Sequence, residues 1–187
     1  MNFTKTAFAL AALGTVATAE LKVATVNIAQ LFDGYYKTAE TQKVVNLEKA
    51  KMQKENDSRL EKIRGLKEKH DKLTQELGDP SITEKKKIDL MKEFEQVREQ
   101  GTALERERME YIKRRTAALN EKAAEDARAI FGEISEEITL ISEADGYDVV
   151  LNKQGVTAKG VPIFLYANET LDITPKIKAK LDEKAPK

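Results

Sequence analysis

Leu77-Gly78-Asp79-Pro80-Ser81-Ile82-Thr83-Glu84 interrupts a run from about Lys37 to Ser142 in which charged residues crowd together and helix breakers almost vanish. Pro80 is the only proline of that run, with helical patterns of about 40 residues before it and about 60 after it. At ~1.5 Å per residue, the shorter pattern alone makes an arm of roughly 60 Å. That is too long for the interior of one small globular domain. The stretch therefore predicts a tip at about residues 78–81. Gly78 is expected to end one helix in a left-handed conformation, and Ser81 with Glu84 to form an S-x-x-E capping box that opens the next. Asp79 as the cap, with Pro80 at the first helical position, gives the same hairpin.

The seam between the two helices is legible in the spacing. Ile63, Leu66, His70, Leu73 and Leu77 precede the tip; Leu90, Phe94, Val97, Gly101, Leu104, Arg108 and Tyr111 follow it. Alternating three- and four-residue steps mark a left-handed coiled coil. Farther on, Leu119, Ala123, Ala127, Ile130, Ile134, Ile138 and Ile141 repeat over eleven residues, which straightens or reverses a supercoil. A second packing environment is expected there, where the arm joins a body. Charge pairs such as Glu55/Arg59 and Glu110/Arg114 contribute about 0.2–0.5 kcal/mol each in isolated helices, so seam packing must supply most of the stability.

Outside the hairpin the sequence changes character. Residues 1–19 carry one charge, Lys5, then the apolar stretch Ala7–Val16 and Ala17-Thr18-Ala19, the pattern of a cleavable secretory signal. The sequence has no cysteine and a formal net charge of zero, near −1 once Lys5 is removed with the signal, so packing rather than disulfides must hold it. Lys22–Asn27 reads as a buried strand, with Asn27 capping a helix through Ile28, Leu31, Phe32 and Tyr35, and Gly34 breaking it before the arm. Tyr147–Leu151 reads as a strand followed by a turn at Asn152–Gly155, and Val161–Tyr166 as another strand with Pro162 at its start or at an edge. Thr174-Pro175 opens a short helix to about Leu181.

The expected fold class is α+β, mostly α, with a long antiparallel coiled-coil hairpin projecting from a small β-rich body. The arm covers residues 37–118, and the body residues 20–36 and 119–187. So small a body leaves strand faces and edges uncovered, which predicts self-association. Val23, Val26, Val149, Leu151, Ile163 and Leu165 carry the apolar faces expected to oligomerise. The subunit number does not follow from that argument.

The quoted ends, KVATVNIAQLFDGYYKTAE (22–40), YDVVLNKQG (147–155) and IFLYANETLDIT (163–174), resemble the Skp/OmpH family of periplasmic chaperones for outer-membrane proteins. The resemblance covers essentially the whole mature chain. It implies a periplasmic homotrimer with a β-barrel-like body and three jellyfish-like arms around a cavity. That cavity would hold unfolded outer-membrane proteins without ATP.

No catalytic constellation is present, so no enzyme activity, cofactor or metal is expected. The lone His70 sits on the seam, where a structural role competes with catalysis or metal binding. Ile88, Met91, Met109 and Ile112 form a stripe beside the seam. It reads either as broadened seam packing or as adaptable client contacts, for which methionine is suited. Lys85, Lys86 and Lys87 near the tip read either as a solvated helix face or as a weak contact with an anionic membrane surface. No basic stripe with stacking aromatics points to nucleic acid. A passive exported coiled-coil spacer or envelope scaffold is the competing function.

Overall fold

A computed structural model describes residues 20–186 of the chain, and the signal expected over residues 1–19 lies outside the described residues. The chain begins with β1 (Val23–Val26), which pairs in parallel with β2 (Val149–Asn152) in the register Val23–Val149 to Val26–Asn152. Parallel neighbours need a long crossover, and here that crossover is the entire helical hairpin. Asn27 Oδ1 accepts from the Gln30 amide at 3.0 Å and opens α1 (Ile28–Gly34). Tyr35 is extended, with ψ 132°, so the expected break falls immediately after Gly34. Then come the arms, α2 (Tyr36–Leu77) and α3 (Glu84–Asp145), of 42 and 62 residues.

The tip differs in its chemistry from the expected one. Gly78 is right-handed, with φ −80° and ψ −8°, and its amide bonds back to Thr74 and Gln75 carbonyls. Asp79 Oδ1 accepts from both the amide and the hydroxyl of Ser81, at 2.8 and 2.7 Å. That occupies Ser81 in a local turn, so it opens no helix, and neither does Asp79-Pro80. Thr83 caps α3 instead, accepting from the Lys86 amide. The left-handed glycine stands at the other end of α3, where Gly146 has φ 69° and Tyr147 donates back to Ser142 at 2.9 Å. Such a conformation costs a non-glycine residue roughly 1–2 kcal/mol.

The seam has the predicted apolar half and a polar half beyond it. Leu73, Leu90 and Val97 are buried near the tip, with Leu66, Leu77, Ile82 and Phe94 packed against them. Toward the body, Val45, Glu48, Met52, Asn56 and Arg59 continue the α2 side of the seam, all half-buried. There Arg108 donates to Asn56 at 3.0 Å, Arg115 to Glu48 at 2.7 Å, and the Arg59 guanidinium lies 4.2 Å above the Tyr111 ring. Gly65 and Gly101 interrupt the helices between these halves, and a Cβ at either would meet nothing within 4 Å. Glycine inside a helix costs about 0.5–1 kcal/mol relative to alanine. The double variant Gly65→Ala/Gly101→Ala is therefore expected to raise arm stability by about 1–2 kcal/mol, read as a later helical melt by circular dichroism.

Below the polar half the eleven-residue repeat enters a single core. Ile130, Ile134 and Ile141 of α3 pack with Ala24, Val26, Leu31, Tyr35, Ile173, Ile177 and Leu181. The last two belong to α4 (Thr174–Glu183). Its N-terminus is secured by Asp172 rather than by Thr174 as cap. The Asp172 carboxylate accepts from the Thr174 amide at 2.9 Å and from its hydroxyl.

The third expected strand is absent among the described residues. Val161–Tyr166 makes one isolated bridge, Val156 to Pro162, and the Ile163 amide donates to the Gly155 carbonyl at 2.8 Å. Proline withholds one donor from any ladder, and the described chain offers no further strand beside this segment. The second strand starts later than expected, at Val149 instead of Tyr147, because Asp148 is held by the Lys22 backbone. The body is thus helices around a two-stranded sheet, less β-rich than expected.

Candidate functional site

Three of the four stripe residues stand clear of the seam. Ile88, Met91 and Met109 are 58%, 53% and 59% exposed, while Ile112 is half-buried. Side chains three or four apart share a helix face, and this face turns away from α2 because Leu90, Phe94 and Val97 already occupy the contact. Glu95, Arg98, Thr102 and Glu105 interrupt the stripe, so it offers scattered apolar contacts in a charged surface. Arg98 pairs with Glu95 at 2.6 Å and Glu105 with Arg108 at 2.7 Å.

His70 is half-buried on the seam, its ring tilted against Phe94 with centroids 4.4 Å apart. Its Nδ1 lies 3.5 Å from Asp71 Oδ1, and among the described residues no group of three or more metal-ligating side chains converges. Lys85, Lys86 and Lys87 are exposed on the first turn of α3; Lys86 reaches Glu76 at 3.9 Å. No described helix is long and apolar enough to cross a membrane.

The root of the arm is fixed by a buried phenol and an ion pair. Tyr35 donates to Glu133 Oε2 at 2.7 Å, and Lys37 donates to Glu133 Oε1 at 2.6 Å. Burial, then the neighbouring carboxylate, pushes the Tyr35 phenol above its ordinary range. The Lys37 and Tyr35 hydrogen bonds hold the Glu133 carboxyl below its own. These contacts tie the break after Gly34 to α3, and so set the direction in which the arm leaves the body.

The LDIT stretch has a comparable role at the other end. Asp172 bridges to Thr25, Ile173 donates to the Thr25 carbonyl at 2.9 Å, and the Asn27 amide donates to the buried Thr174 hydroxyl at 2.8 Å. Lys153 closes an ion pair on Asp172. Burial works to raise the Asp172 carboxyl, but the hydrogen bonds from Lys153 and Thr174 outweigh it and hold the group below the ordinary range. A lowered folded value contributes stability above the unfolded value, about pH 4, and loses it as pH falls through the folded value. Asp172→Ala is accordingly expected to cost about 2–3 kcal/mol at neutral pH. Urea melts should show the gap between variant and parent closing at strongly acid pH.

The residues expected to oligomerise divide into two groups. Val26 is buried in the chain's own core, and Val23 and Leu151 are half-buried. Val149, Ile163 and Leu165 are 37%, 56% and 91% exposed, and Tyr166, which the sequence reading did not single out, is 84% exposed. Val149 stands on β2, Ile163 folds back on Gly155, and Leu165 and Tyr166 line a small cleft with Thr25, Lys153 and Asp172. Phe131 and Leu140 of α3 in the body, and Val44 and Leu47 of α2 near the root of the arm, add exposed apolar side chains. Their spacing follows no single stripe, which left no periodic signal to find.

The family model described as outer membrane protein (OmpH-like) matches residues 22–181. No curated protein matches the chain. Among solved structures, a protein from Caulobacter crescentus CB15 described as a candidate outer membrane chaperone (OmpH-like) aligns with a TM-score of 0.69 at 14% identity. The alignment covers 92% of this chain and 90% of that one. At that identity the likeness concerns the fold.

Proposed function

The chain belongs to the OmpH-like outer membrane protein family, and we propose that it is an ATP-independent periplasmic holdase for unfolded outer-membrane proteins. Clients are held in a cavity between the helical arms of a homotrimer. The observation that carries this reading is the exposed, charge-interrupted stripe of Ile88, Met91 and Met109 on a hairpin of helices 42 and 62 residues long. Many shallow apolar contacts suit an unfolded chain, and their dispersal avoids one contiguous patch that would invite self-aggregation. Release needs no nucleotide when each contact is weak and the folded barrel in the membrane is the more favourable destination.

The exposed Leu165, Tyr166 and Ile163, together with the unpaired outer edge of β2, support the trimer. Covering that edge with a second and third copy satisfies its backbone groups and buries its apolar side chains. The body of residues 20–36 and 119–187 assembles, and the arm of residues 37–118 holds. Lys85, Lys86 and Lys87 provide at most a weak contact with anionic headgroups, because neighbouring carboxylates screen them.

Light scattering at micromolar concentration is expected to give a mass near three chains, and stoichiometric protein is expected to suppress aggregation of a barrel protein diluted from urea. A trimer without protection would instead fit the passive spacer, and a stable folded monomer would remove the assembly.

A further inference from the structure

Two open clefts of about 660 and 600 Å³ flank one side of the seam. They share Lys62, Leu104 and Glu107, so they form one trough, running along α2 from Lys51 to Leu66. Its apolar lining is Leu66, Leu104 and the Tyr111 ring, one face of which Arg59 covers. Its rim is basic and incompletely neutralised. Arg59 takes both acids that line it, Glu55 at 2.7 Å and Glu107 at 3.8 Å. Lys51 and Arg115 share Glu48, at 2.8 and 2.7 Å. Lys54 and Lys62 have no carboxylate within 4.0 Å among the described residues.

The dimensions select the occupant. Fifteen residues of helix span ~22 Å, the length of about 6–7 residues of extended chain at ~3.3 Å each. Lys54 and Lys62, eight residues apart on α2, are separated by ~12 Å along the axis. Carboxylates four residues apart on one face of an extended strand are separated by ~13 Å. Of the three side chains between them, the first and third point to the opposite face of the strand. Alternation of apolar and polar residues is also what a transmembrane barrel strand carries.

We propose that this trough binds an extended client segment in which carboxylates alternate with apolar side chains. The carboxylates lie against Lys54 and Lys62, and the apolar residues lie over Leu66, Leu104 and Tyr111. The proposal rests on the holdase reading and adds to it a sequence preference that the stripe on the other side of the seam does not supply.

Fluorescence anisotropy with the full chain tests it, using two labelled nine-residue peptides of the same composition. One places two glutamates four apart in an alternating leucine and serine background; the other places them three apart, on opposite faces. Tighter binding of the first peptide is expected, weakened about tenfold by Lys54→Gln/Lys62→Gln, as two exposed ion pairs warrant. The charge-matched control Lys43→Gln/Lys113→Gln is expected to leave it unchanged. Equal binding of the two peptides, or equal losses in the two variants, would overturn the proposal in favour of diffuse charge attraction. Dependence of phosphatidylglycerol vesicle binding, but not of peptide binding, on Lys54 and Lys62 would assign the trough to a lipid surface and also overturn it. Protection of a full-length unfolded barrel protein, measured in parallel on the parent chain, tests the holdase reading separately: its loss sinks that reading whatever the peptides do.

Discussion

Excising Lys49–Arg115 and joining Glu48 to Thr116 through a short helical turn is expected to leave a body that still assembles, with client protection abolished. The cut points lie across from each other on the paired helices, since Arg115 donates to Glu48 at 2.7 Å and Thr116 meets Met52. A short connection can therefore replace the removed arm without stretching the stump. Every member of the body core survives: Ala24, Val26, Leu31, Tyr35, Ile130, Ile134, Ile141, Ile173, Ile177 and Leu181 all lie outside the deletion. So do the parallel strand pair, the Tyr35–Glu133–Lys37 contacts and the Asp172 hydrogen bonds. What is lost is the apolar seam around Leu73, Leu90 and Val97, together with the stripe and the trough. Light scattering on the truncated chain should report the parent's subunit number, and an aggregation assay should show no protection. Unfolded monomers would mean that the arms, rather than the body, drive assembly.

The hairpin was legible because a coiled-coil seam is a local pattern. Leu73, Leu90 and Val97 announce their burial by spacing alone, and Ile130, Ile134 and Ile141 announce the change of environment by a change of period. The same logic placed Ile88, Met91 and Met109 beside the seam, where they are exposed. It failed where polar residues pack. Glu48, Asn56 and Arg59 continue the α2 seam, yet in sequence they look like any solvated helix face. Only pairing with Arg115, Arg108 and Tyr111 from the other helix reveals them. The tip misled for a related reason. Ser81 and Glu84 satisfy the capping-box spacing, but Asp79 reaches Ser81 first, and a side chain committed to one turn cannot cap another. Val161–Tyr166 misled most, since β-propensity describes a half-buried pleated surface and not an intrinsic backbone preference. In the described chain that segment makes one isolated bridge, Val156 to Pro162, and no ladder, and Leu165 and Tyr166 stay in solvent. The trough was illegible altogether: its floor and rim come from two helices whose pairing register sequence spacing does not specify.

Replacing Ile88, Met91 and Met109 with glutamine is expected to reduce client protection severalfold while leaving the arm's melting behaviour nearly unchanged. All three side chains are more than half exposed, and substitutions at such positions usually change stability by within about 0.5 kcal/mol. Glutamine is also a good helix former, so neither propensity nor packing gives the variant a reason to unfold. Ile112 behaves differently. It is half-buried beside Tyr111 and Arg108, and a polar group placed there without a partner costs about 1–3 kcal/mol when fully desolvated. Adding Ile112→Gln to the triple variant should therefore lower the melting temperature, whereas the triple variant should not. This division separates two roles that the stripe combined: three residues serve the client and the fourth also serves the arm. Circular dichroism melts beside an aggregation assay read both quantities on the same samples. Full protection by the triple variant at unchanged helicity would remove the stripe from client binding. A large loss of helicity in the triple variant would show instead that these side chains are covered in the assembled protein, with protection falling as a consequence of unfolding. Protection lost at constant helicity and constant subunit number is the outcome that only a client-contacting surface produces.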